Sequence, residues 1–81
     1  MDDQEILKHI GALVDEEHTL FRRSGEHGGL APDEQERLQG LEVSLDQLWD
    51  LLDRRRALRG AGRNPDEATV RSAETVENYL Q

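Results

Sequence analysis

Five leucines in the second half of the chain recur at steps of three and four residues. They are Leu38, Leu41, Leu45, Leu48 and Leu52. This spacing places side chains on one side of an α-helix, whereas a strand exposed on one face would need steps of two. The row therefore predicts a long helix with one apolar side, which another element has to cover.

Start and stop signals place this helix at about residues 32–60. Pro32 suits the first helical position, because its missing N–H would have no partner there, and the two acids that follow suit the helix dipole. Arginines crowd the last turns, and Gly60 and Gly62 provide the end. Ala31 is a poor N-cap, because its side chain has no hydrogen-bond acceptor.

The first half of the chain carries a second row with the same spacing. Its members are Ile6, Ile10, Leu13, Glu17 and Leu20, while Leu7, Val14 and Phe21 repeat every seven residues along one flank. The pattern predicts a helix over about residues 2–24. A turn at residues 25–31, rich in glycine, follows it.

A turn this short makes the two long helices antiparallel neighbours. Pairing Leu20 with Leu38 across the turn places Asp3 beside Arg55 at the other end, so the apolar and charge patterns agree on one register. We therefore expect an all-α antiparallel hairpin.

The remaining segment, residues 64–81, is here called the tail. Asn64 and Pro65 repeat the helix start signal, and Ser72 offers a second cap before a short helix near residues 73–80. The apolar side of that helix would carry Val76, Tyr79 and Leu80. Helices this short are marginal in water alone, so we expect the tail to dock.

A hairpin of two helices cannot enclose its own core. Leu51 and Leu58 fall off the leucine row, on a flank shared with Gly40 and Ser44. We expect the tail, a second copy or both to cover this flank, and we favour both, so that a homodimer forms a four-helix bundle with coiled-coil packing. The single tryptophan, Trp49, lies beside the row and is expected to fill the core.

Composition excludes several classes of protein. The 81 residues include no cysteine, so disulfides and thiolate metal sites are excluded. The net charge of −8 disfavours binding to nucleic acid. The acidic N-terminus and the lack of a long apolar run predict a cytoplasmic protein that makes no use of a membrane. No arrangement typical of a nucleophilic enzyme or a phosphate loop is present, so we predict no enzyme and no cofactor.

Three groups of residues are candidates for interaction. His18 follows an acid at a spacing that metal-binding bundles use, although a solvated helix face is the simpler interpretation. Beside it, Glu17 interrupts the apolar row and could be a ligand or proton-handling group, but a polar position that fixes the register or is partly exposed near the turn is simpler. Asp46 and Asp50 flank Trp49 in an acidic ribbon with Glu42 and Asp53, which could hold a cation or a basic peptide. Arg54, Arg55 and Arg56 form a basic cluster, whose simplest role is to end the helix and meet the acidic N-terminus.

The block from Leu45 to Leu52 with Arg54 to Arg56 is also the specific part of a resemblance. Together with Met1 to Asp3, Glu16 to His18, Asn64 to Ala68 and Val76 to Gln81, it resembles a small actinobacterial family, domain of unknown function 2630. The resemblance implies an actinobacterial, cytoplasmic origin and brings no established activity, cofactor or partner.

Two hypotheses for function follow from the sequence. The leading one is a non-enzymatic helical module that has a structural role or binds another protein, as yet unidentified. The alternative is a helical bundle that binds a small molecule or metal through Glu17, His18 and the acidic ribbon.

Overall fold

The computed structural model describes residues 1–80, with side chains through Asn78. Its elements are helix α1 (Asp3–His27), helix α2 (Pro32–Gly60), a 3-10 turn (Pro65–Glu67) and helix α3 (Ala73–Leu80). No strand occurs in residues 1–80, so the predicted all-α hairpin with a short C-terminal helix is confirmed. The side chains of Tyr79 and Leu80, predicted to share a side with Val76, lie outside the described residues.

Helix α1 runs three residues beyond the predicted end at Ser24, and that boundary was wrong. The helix begins with a capping box, in which the backbone N–H of Glu5 donates to the Asp2 carboxylate at 2.8 Å. Gly25 alone lowers helix propensity without ending the helix. The end comes where Gly28 turns left-handed at φ 73° and Gly29 donates to the Ser24 carbonyl at 2.9 Å.

Helix α2 has the predicted bounds. Ala31 supplies no side-chain cap, but the Glu34 carboxylate reaches back and accepts from the Ala31 N–H at 3.1 Å. At the other end, Gly62 is left-handed at φ 74°, and the Arg63 N–H donates to the Leu58 carbonyl at 2.8 Å. Glycine is needed there because a side chain would strain that backbone conformation.

The core between α1 and α2 has the register that the sequence predicts. Ile6 and Leu52 are fully buried in one cluster of aliphatic side chains, completed by Ile10, Leu45, Leu48 and Leu51. The Arg55 guanidinium donates to the Asp3 carboxylate at 2.7 Å, as predicted. At the turn end, Arg37 forms an ion pair with Glu16, with one N–O distance of 2.9 Å.

The tail folds back onto α2 of its own chain, along the flank where a cover was expected. Ala68 packs against the core cluster beside Leu51, which is 4% exposed. Ser72 caps α3 through the Thr75 N–H at 3.2 Å, and Val76 is 2% exposed. The tail therefore occupies the Leu51 flank, and a second copy would have to use another surface.

The three elements form a single layer in which α2 lies between α1 and the tail. The Cα trace measures 50 × 25 × 15 Å, so the molecule is twice as long as it is wide. Its radius of gyration is 15.1 Å, against about 12 Å for a compact domain of this length. Side chains of α2 that point neither to α1 nor to the tail lie on the two broad faces of this arrangement.

Trp49 lies on one of these faces, so the expectation that it fills the core was wrong. Its side chain is 43% exposed, whereas the preceding Leu48 is 6% exposed. Each residue turns an α-helix by 100°, which carries Trp49 away from α1 without bringing it to the tail. The leucine row alone does not show which flank of α2 the tail covers.

This placement predicts different effects for two substitutions in α2. Leu52→Ala should lower the free energy of unfolding by about 2–5 kcal/mol, because it leaves a cavity in the core. Trp49→Ala should lower it by less than about 1 kcal/mol. Urea unfolding followed by circular dichroism, at low protein concentration so that single chains are measured, tests both. A loss of about 3 kcal/mol or more for Trp49→Ala would show that the indole is packed inside the chain.

Candidate interaction surface

A simple rule assigns side chains to the two broad faces of the layer. In each long helix, the residue after a core residue points to one face, and the residue before it points to the other. Because α1 and α2 run in opposite directions, the residues that come directly after core residues point to the same face in both helices. The ion pair between Glu16 and Arg37 agrees with it, since Glu16 precedes Glu17 and Arg37 precedes Leu38.

The large exposed apolar side chains of the two long helices all come directly after core residues, so they lie together on one face. Leu7 is 43% exposed, Phe21 50% and Trp49 43%, and the partly buried Val14 lies between the two α1 residues. We call the surface carrying these four side chains the apolar face. Val70 and Met1 are also exposed, and they line a shallow depression with Arg37 and Gln47 on the other side. Exposed apolar surface concentrated in this way is typical of protein–protein contacts.

The α1 half of this face is only partly evident from the sequence. Leu7, Val14 and Phe21 repeat every seven residues, but the sequence alone predicts that they belong to the same broad apolar side of α1 as the core residues. Gly11 and His18 complete a second row with steps of four and three, one residue after the core row. Two adjacent rows of this kind indicate a helix that packs against two neighbours. The sequence therefore contained a sign of a second contact surface on α1.

Glu17 and His18 separate in the structure. Glu17 is half-buried at the seam between α1 and α2, whereas His18 is exposed and belongs to the apolar face. Among the described side chains, no group of three or more His, Cys, Asp or Glu is placed to hold a metal ion. A half-buried position near the turn is the simpler of the two interpretations that the sequence allowed for Glu17.

Asp50 and Arg54 hold the tail against α2. Asp50 accepts from Arg71 at 2.9 Å and from Arg54 at 3.1 Å, and Arg54 also donates to the carbonyl of Thr69. The hydrogen bond from Arg71 is the main cause that lowers the pKa of Asp50, helped by the charge of Arg54. These two candidate residues therefore make contacts within the chain.

The side chain of Arg55 also makes its contacts within the chain, and it is only 5% exposed. Its guanidinium donates to Asp3 of α1 and to Asp66 of the 3-10 turn, each at 2.7 Å. The bond from Arg55 is the largest cause that lowers the pKa of Asp3, and Arg59 donates to the same carboxylate at 2.8 Å. Arg56 is exposed, and it is the member of the basic cluster that follows a core residue and belongs to the apolar face.

Asp46 faces an acid of the tail. Glu77 of α3 lies against it, and the hydrogen bond with Asp46 is the first cause that raises the pKa of Glu77. Burial and the charges of Asp46 and Glu42 act in the same direction. The contact is favourable only while one of the two carboxyls holds a proton. Sequence reasoning missed Glu77, Asp66 and Arg71, because their contacts depend on the path of the tail.

This carboxyl pair predicts that the docking of α3 weakens as the pH rises. Folded Glu77 keeps its proton at pH values where the unfolded chain, with a pKa near 4.5, has lost it. Stability is therefore lost as the pH rises from that value through the raised folded pKa. Glu77→Gln should remove this loss and raise the urea midpoint at pH 7.5.

The matched control is Glu74→Gln, at an exposed position of the same helix. It should leave the difference between the midpoints at pH 5 and pH 7.5 as it is in the wild type. If Glu77→Gln behaves like this control, the two carboxyls do not share a proton.

None of the helices in the described part of the chain is both long enough and apolar enough to cross a membrane. The charged and exposed residues found in all three helices account for this.

The chain is similar to one protein family and to proteins of mycobacteria. The family described as Protein of unknown function (DUF2630) matches residues 2–81. The uncharacterized protein Mb0922c of Mycobacterium bovis is 51% identical over 78 residues, which is 95% of this chain and 88% of that protein. The uncharacterized protein Rv0898c of Mycobacterium tuberculosis has the same identity and coverage. No solved structure matches the chain. The predicted resemblance is thus confirmed, and the chain belongs to the DUF2630 family, whose function is unknown.

Proposed function

We propose that this chain is a non-enzymatic helical interaction module that forms a homodimer through its apolar face. The observation that carries the proposal is the exposure of Leu7, Phe21 and Trp49 on one side of a single layer. Folded domains usually bury apolar surface between two layers, and this chain alone provides one. A second copy would supply the missing layer and produce a four-helix bundle.

The size of the face supports a stable contact. Two helices of about 25 residues side by side present roughly 35 × 20 Å, or about 700 Å² on each copy. A dimer would then bury on the order of 1,400 Å² in total, within the usual range for specific protein–protein interfaces. Contacts much smaller than this are typical of weak or adventitious association.

The distribution of charges supports an interaction module rather than an enzyme. Many of the charged residues in the seams between elements are paired with one another, as Asp3, Asp50 and Arg55 are. A net charge of −8 opposes contact with nucleic acid. We also propose a cytoplasmic setting in an actinobacterial cell, and the mycobacterial relatives support the second part of this proposal.

Sedimentation equilibrium at tens of micromolar tests the proposal. The wild-type protein should show about twice the chain mass of 9.2 kDa. The double variant Leu7→Gln, Phe21→Gln should sediment mainly as a monomer, because it removes two of the three most exposed large apolar side chains of the proposed interface.

The control is Val70→Gln, which changes an exposed apolar residue away from the apolar face. This variant should dimerise like the wild type. A monomeric wild-type protein at these concentrations would contradict the proposed self-association.

A further inference from the structure

We propose that the hollow between the end of α2 and the returning tail binds a small carboxylate with an apolar body, that is, an aliphatic or aromatic monocarboxylic acid. The hollow has a volume of about 400 Å³, within the range of small-molecule sites in proteins. Leu58 on its floor lies nine residues after Trp49, which places the two on opposite sides of α2. The hollow is therefore separate from the apolar face, and the proposal does not depend on the dimer.

The floor of the hollow is apolar and only partly covered. It consists of Ala57, Leu58 and Ala61 from the last turns of α2 and Ala68 from the tail. Leu58 shares a flank of α2 with Leu51, but the tail buries Leu51 and leaves Leu58 half-buried. The three alanines leave the space that larger side chains would have filled. An apolar group placed there would be shielded from water.

Backbone hydrogen bonds hold both walls of the hollow in place. Where α2 ends, the Arg63 N–H donates to the Leu58 carbonyl at 2.8 Å. In the tail, the Ala68 N–H donates to the Pro65 carbonyl at 3.1 Å. A site that is already ordered loses less conformational entropy when a ligand binds than a flexible segment does.

The rim of the hollow is basic in an otherwise acidic chain. It carries Arg54 on the side of α2, together with Arg63 and Glu67, which form an exposed ion pair. Two positive charges and one negative charge give the lining a net charge of +1, whereas the net charge of the chain is −8. The rim therefore attracts an anion with a single charge.

Both arginines keep donors for such an anion. A guanidinium carries five N–H groups on three nitrogens. Arg54 donates from Nε to Asp50 and from Nη2 to the Thr69 carbonyl, and Arg63 donates from Nη2 to Glu67. Within residues 1–78, no acceptor is bonded to Nη1 of either arginine. A carboxylate at the rim would accept from these nitrogens while the contacts that hold the tail stay in place.

The floor and the rim together select the class of ligand. Inorganic phosphate has no apolar surface to bury on the floor, so burial contributes nothing to its binding. A neutral apolar molecule would use the floor but lack the charge that strengthens a hydrogen bond from an arginine. A monocarboxylate uses both parts of the site. Octanoate represents the aliphatic acids and 3-phenylpropanoate the aromatic acids.

Titration of the nitrogen-15-labelled protein with each acid, followed by NMR, tests the proposal. The amide signals of Leu58, Ala61 and Arg63 should shift in a saturable way. We expect a dissociation constant on the order of 1 mM or below for a ligand of about ten non-hydrogen atoms. The neutral analogue 3-phenylpropanamide should bind at least about fivefold more weakly than 3-phenylpropanoate. The acid that binds more tightly shows whether the hollow prefers a chain or a ring.

Three variants separate the parts of the site. Ala57→Leu fills the hollow and should weaken the binding of both acids at least about tenfold. Arg63→Gln removes a charged donor and should weaken it at least about fivefold. Glu67→Gln should instead strengthen it about threefold, because the Glu67 carboxylate competes with the ligand for Arg63.

The matched controls carry the same kinds of substitution in α1, away from the hollow. They are Ala12→Leu and Arg22→Gln, and both should bind the acids like the wild type to within about twofold. All five substituted positions are exposed, so each variant should fold, which circular dichroism checks.

The possible outcomes decide each part of the proposal. Signals of Leu58 and Arg63 that do not shift with either acid at about 20 mM would overturn it. Binding that Ala57→Leu leaves unchanged would overturn the position of the site, and equal binding of acid and amide would overturn the role of the arginines. Binding that is lost in Ala57→Leu and strengthened in Glu67→Gln would support the proposal. A wild-type protein that stays monomeric in sedimentation would contradict the proposed function alone.

Discussion

The contact of Arg55 with two carboxylates ties the three segments of the layer together. Asp3 brings α1 to this guanidinium, and Asp66 brings the tail. The guanidinium is almost fully buried, and a charge removed from water has to be paired. Sliding α1 along α2 by one turn would separate Asp3 from Arg55. The register of the hairpin and the position of the tail thus depend on the same side chain.

That register determines which side chains remain exposed. With Ile6 beside the core of α2, Leu7 and Phe21 turn to the same face as Trp49, while Glu16 and Arg37 meet on the opposite face. One face of the layer therefore carries Leu7, Phe21 and Trp49, whereas the other carries the ion pair of Glu16 with Arg37 beside exposed Met1 and Val70. The proposed dimer uses the first face, because the larger exposed apolar side chains of the two long helices lie there.

The sequence predicts most of this fold, because its signals are local. Row spacing, a first-turn proline and left-handed glycines are properties of neighbouring residues, and the contact of Asp3 with Arg55 follows once the helices are aligned. The position of Trp49 depends instead on which flank of α2 the tail covers, and the tail has few apolar residues to indicate its path. For the same reason Asp50 and Arg54 were candidates for binding a partner, whereas the structure shows them bound to Arg71 and Thr69.

The single tryptophan gives the most direct measurement of whether the apolar face is covered in solution. Trp49 is 43% exposed in the isolated chain, and the proposed dimer would bury it. Quenching of its fluorescence by iodide, measured across a range of protein concentrations, reports that burial. We predict that quenching falls and the emission shifts to shorter wavelength as the concentration rises. A tryptophan that stays equally open to iodide at every concentration would contradict a dimer formed through this face.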